Sequence, residues 1–132
     1  MSYAAAAALQ TALFARLAGF PALAGVTIVD AMPPGTGNGT FILLGPEIAT
    51  DKGDQTGRGA EHLVAIAVIS DATGFLPLKT VAAAVSDALV DAPLVLTTGS
   101  LVSLFFQRAN ARRLDGGDIR RIDLAFRARV TF

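Results

Sequence analysis

Apolar and polar residues alternate along the end of the chain. Ile122, Leu124, Phe126, Ala128, Val130 and Phe132 take every second position, and Asp123, Arg127, Arg129 and Thr131 fill most of the gaps. Successive side chains of a strand point to opposite faces, so this run predicts a strand with one face for a core and one charged face. The run before it, Leu101 to Arg113, starts apolar on both faces and turns polar from Gln107 onward. Between the two, residues 114–118 supply the glycines that a tight turn needs. Residues 101–132 therefore predict one long β-hairpin, held at its apolar end, with the pairs Arg112–Arg113 and Arg120–Arg121 flanking its tip.

Upstream, Leu9, Leu13 and Leu17 recur every fourth residue, which predicts a helix from an N-cap at Ser2 to about Ala18. Gly19 and Pro21 end it. Val26 to Val29 reads as a short strand and 31–40, rich in Gly and Pro, as a loop. Phe41 to Leu44 predicts a strand, with a separate short one near Glu47 to Thr50. A polar, glycine-rich loop follows over 51–60. Glu61 to Ser70 is apolar on both faces, as expected of a central strand covered on two sides. Pro77 sits where the first turn of a second helix tolerates it, and Leu78, Val81, Val85, Ala88 and Leu89 trace that helix's buried side. Leu94 to Leu96 completes the set as a short strand. The prediction is an α+β fold: one two-layer domain over 1–132, mainly antiparallel sheet, with two helices packed on it and the long C-terminal hairpin.

Composition adds a pressure towards association. Hydrophobic residues make up 52% of the 132 and charged residues 17%, with a mean hydropathy of +0.53. Apolar surface that one small core cannot hide is commonly hidden in a partner. The formal net charge is zero, yet residues 1–100 carry four basic and eight acidic side chains, while 101–132 carry seven arginines and three aspartates. A molecule that is −4 in one part and +4 in the other can join copies of itself head to tail, or can satisfy the opposite charges within one subunit. Cysteine is absent, which removes disulfides and thiolate chemistry. No stretch reaches the ~20 apolar residues of a spanning helix, and the alanines at 4–8 lack a basic leader, so no membrane is expected.

Candidate catalytic features fail on their context. The glycines of 34–40 suggest a phosphate loop, but the chain continues into a strand and no lysine follows, so a surface loop is expected. Asp51 and Asp54 lack the remaining ligands of a calcium loop. His62 is the sole histidine and is expected to be a hydrogen-bonded edge residue; no GxSxG elbow surrounds any serine. These features point away from an enzyme, and no metal or cofactor is implied. The arginines remain as the one informative cluster. Nucleic-acid binding through them is the alternative reading, weakened because adjacent tip arginines face opposite ways and few aromatics are available to stack bases.

The chain resembles the tail-completion, or tail-terminator, proteins of long-tailed phages and of the phage-like gene transfer agents of alphaproteobacteria. The resemblance is carried by 8–17, 60–63 running into 67–70, 81–85, 88–89 and 92–94. It closes through 101–106, 111–113 and 121–130. It implies a structural virion protein, assembled in the bacterial cytoplasm into a homohexameric ring at the head-proximal end of the tail. Such a ring stops growth of the tube, meets the tail tube protein and the neck or head-tail connector protein, and lets DNA pass through its lumen without reading sequence. The residues expected at ring contacts are Asp51, Lys52, Asp54 and Arg58 in the polar loop, Arg112, Arg113, Asp115, Arg120 and Arg121 at the tip, and Arg127 and Arg129 on the strand.

Overall fold

The computed structural model describes residues 3–34, 39–55, 57–114 and 118–132. Helix α1 (Ala6–Ala18) comes first, followed by a single 3₁₀ turn, Pro21–Leu23, and strand β1 (Thr27–Val29). Strands β2 (Phe41–Asp51) and β3 (Gly59–Ser70) form a hairpin, and α2 (Leu76–Leu89) leads to the long hairpin of β4 (Ser100–Leu114) and β5 (Ile119–Thr131). The sheet order is β1-β2-β3-β5-β4; among the described residues β1–β2 is parallel and the other pairs are antiparallel. The fold is α+β, as expected.

Periodicity explains the core. Leu9, Leu13 and Leu17 of α1 and Leu78, Val85, Ala88 and Leu89 of α2 are buried. They join Ile42, Leu44, Ile66, Val68, Leu124, Phe126 and Val130 from one face of the sheet in one cluster. The opposite face keeps a smaller buried cluster of Phe41, Leu43, Ala67 and Ile69, so β3 is covered on both sides near its end. At the junction of the helices, Arg16 Nε donates to the Ala88 carbonyl oxygen at 2.7 Å, satisfying one of the last carbonyls of α2.

Five expectations change. Helix α1 begins at Ala6 with Ala5 in the capping position and no side-chain cap, while Ser2 lies outside the described residues. The segments at 41–44 and 47–50 are one strand interrupted by a bulge between Leu44 and Glu47. Pro46 is tolerated there because β1 pairs only with Phe41 to Leu43, leaving that part of β2 at an edge. Leu94 to Leu96 is irregular rather than a strand. Val81 is half-buried. Phe132 follows the last strand pair and is 41% exposed instead of closing the core.

Candidate functional site

Arg113 and Arg120 are cross-strand partners on the helix side of the sheet, and Arg112 and Arg121 are partners on the other side. Like charges placed directly opposite repel, so each pair needs a counter-group. On the helix side it is the ring of Phe75, just before α2. The guanidinium carbons of Arg113 and Arg120 lie 6.0 and 5.7 Å from its centroid, with Lys79 Nζ at 6.0 Å. Arg120 Nη1 also donates to the Ala72 carbonyl at 3.0 Å. On the opposite side, Asp123 accepts from Arg121 Nε at 2.8 Å and from Arg112 Nε at 3.2 Å. Asp115 lies outside the described residues.

Further along β5, Arg127 Nε sits 3.7 Å from Glu61 Oε1, and Arg129 Nη2 donates to the Lys52 carbonyl at 3.2 Å. In the β2–β3 turn, Asp51 Oδ1 accepts from the Gly53 amide and Asp54 Oδ1 from the Gly57 amide, at 3.0 and 2.8 Å. These carboxylates shape the turn, and among the described residues no acidic or histidine cluster is suited to a metal. Six of the predicted arginines, from Arg112 to Arg129, and the aspartates Asp51 and Asp54 are therefore held by their own subunit. Opposite charges do meet within the chain, chiefly inside the hairpin and across to Glu61.

His62 is fully buried, in contrast to the edge position expected of it. Its Nδ1 lies 3.1 Å from Glu47 Oε2, and the Tyr3 ring stacks 6.4 Å away. The phenol of Tyr3 hydrogen-bonds Glu47, which with the carboxylate's charge raises the Tyr3 pKa above its ordinary 10.0. The bulge at 45–46 explains why spacing concealed this contact: one extra residue brings Glu47 onto the face shared by Leu44 and Val64, beside the Ala49–His62 pair.

Two surfaces escaped the sequence reading. Strand β4 forms one edge of the sheet, and it exposes Val102, Phe105 and Phe106; every residue from Phe105 to Arg113 is exposed. At the opposite edge, between α1 and β1, an open groove of about 550 Å³ is lined by Gln10, Phe14, Ile28, Asp30 and Leu44, among others.

This fold, with its satisfied charges and unsatisfied apolar edges, agrees with the comparisons to known proteins. The family model for Tail completion protein gp17 matches residues 11–131. The chain belongs to the tail completion protein gp17 family. A chain of a solved structure described as the virion of native gene transfer agent (GTA) particle is also similar. It is 54% identical, covers 99% of this chain and 100% of that chain, and superposes with a TM-score of 0.89. No curated protein sequence matches. Family and structural likeness together identify a structural protein of the virion tail. The family resemblance read from the sequence is thereby borne out.

Proposed function

We propose that the protein is a tail terminator: a hexameric ring at the head-proximal end of the tail that stops tube growth and joins the tail to the neck. The observation that carries this reading is its end-to-end likeness, at 54% identity, to a chain of a gene transfer agent virion. The role is mechanical and non-enzymatic. One side of the ring meets the tail tube protein and the other the neck or connector protein, while DNA passes through the lumen without sequence recognition.

The distribution of partners within the chain supports a division of labour. Sheet and helices make the ring body. The turn at 51–59 offers Lys52 and Arg58, whose side chains have no partner among the described residues, to a neighbouring subunit or adjacent ring. The hairpin tip offers Arg112, Arg113, Arg120 and Arg121, already oriented by Asp123 and Phe75. Adding the purified protein to polymerising tail tube protein tests the reading. Tubes should stop lengthening and carry a ring at one end; an unchanged length distribution would overturn it.

A further inference from the structure

Resting on the ring reading, we infer that neighbouring copies join head to tail, the β4 edge of one subunit seating its phenylalanines in the α1–β1 groove of the next.

The two surfaces lie at opposite edges of one sheet. Strands β1 and β4 are separated by four strand spacings, roughly 19 Å at about 4.8 Å each. A contact between two different surfaces of the same molecule is heterologous, and it closes into a ring when the rotation it imposes is a whole fraction of a turn. A contact of β4 with another β4 would stop at a dimer.

The surfaces also complement each other in chemistry. On β4, Phe105 is 51% and Phe106 44% exposed, with Val102 beside them. Phe105 shares a face with Arg127, and Phe106 lies opposite Phe126 on the helix side, so the two rings straddle the edge. The groove offers Phe14 and Ile28 as apolar walls, and its described lining holds no lysine or arginine. Its carboxylate, Asp30, accepts a hydrogen bond from the Gln10 amide at 3.3 Å and has no cationic partner among the described residues. The β4 edge carries the reciprocal charge: Arg108, next to the phenylalanines, has no partner among the described residues. Among the described residues, the carboxylate at one edge lacks a cation and the guanidinium at the other lacks an anion, and the two become partners only when a second copy arrives.

Strand addition is a weaker account of the same edge. Bulges at Val102 and Gln107 interrupt the β4 register, and β1 presents only three residues.

Because the chain has no cysteine, Asp30→Cys with Arg108→Cys places one thiol on each surface. Producer cells with this chain as their only copy would yield tails for oxidation and non-reducing electrophoresis. The expected result is a ladder of covalent multimers, absent from either single variant. Tails that contain the protein but give no ladder would overturn the interface and leave the terminator reading standing. A ladder from tails of uncontrolled length would support the interface and overturn the terminator reading. Charge reversal supplies a second test. Asp30→Arg and Arg108→Asp should each reduce multimers of the purified chain at least tenfold, and the double variant should recover them. Equal loss in the double variant would contradict a direct Asp30–Arg108 contact.

Discussion

Phe126 on β5 and Phe106 on β4 meet edge to face, ring centroids 5.9 Å apart at 67°, yet Phe126 is fully buried and Phe106 is 44% exposed. On β4 the core thus ends at this pair, whereas on β5 Leu124 and Ile122 carry it further towards the tip. From Gln107 to Arg113 everything β4 carries is exposed, and the difference can be read as energies.

Phe126→Ala should cost roughly 3–5 kcal/mol, the range for removing a buried aromatic. Phe105→Ala, on the exposed edge, should stay within about 0.5 kcal/mol of wild type. Urea denaturation of both variants measures the contrast. Comparable losses would mean that the edge contributes to folding of the single chain.

Asp123→Asn leaves Arg112 and Arg121 facing each other without their shared carboxylate. Exposed ion pairs contribute little, so the loss of stability should be about 1 kcal/mol or less. Retention of DNA in a gel at low salt should increase, and that gain should disappear as salt is raised. Unchanged DNA mobility would show that the tip arginines do not reach a polyanion even when released.

Gly99 has φ +77° just before β4, and a Cβ there would lie 3.0 Å from the Thr131 carbonyl oxygen and from Val130 Cγ1. Gly99→Ala should therefore destabilise the chain by more than the roughly 1–2 kcal/mol of a left-handed residue alone. Gly74, at φ +81° with no atom within 4 Å, supplies the control. Gly74→Ala should show the backbone penalty only, and the comparison of melting temperatures separates the two causes.

The hydrogen bond to Glu47 raises the Tyr3 pKa, so the protonated phenol is favoured in the folded state. Its contribution is complete below the ordinary value of 10.0 and is lost as pH rises through the higher folded value. The stability difference between wild type and Tyr3→Phe should accordingly be constant below pH 10.0 and shrink above it. A difference that does not vary across that range would contradict the Tyr3–Glu47 bond.

The helices and β5 were legible because their periods run without interruption: every fourth residue in α1, every second from Ile122 to Val130. β4 was legible as a strand but not by face. Its bulges move the helix-side positions from Leu101 to Leu104 and Phe106, then to Ala109 and Ala111, so one face changes parity twice. The same device in β2 hid Glu47 from His62. The contact surfaces were hidden for a different reason. An exposed phenylalanine becomes informative only once sheet order makes β4 an edge, and sheet order depends on β5, not β4, pairing with β3. The arginines were visible, but their partners Phe75 and Ala72 lie far back in the chain, Ala72 being 48 residues before Arg120.

The most direct measurement is the length of tails made by producer cells that lack this chain, seen by electron microscopy. The terminator account predicts tubes of uncontrolled length, without a ring at the end and separate from filled heads. Tails of normal length joined to heads would contradict it.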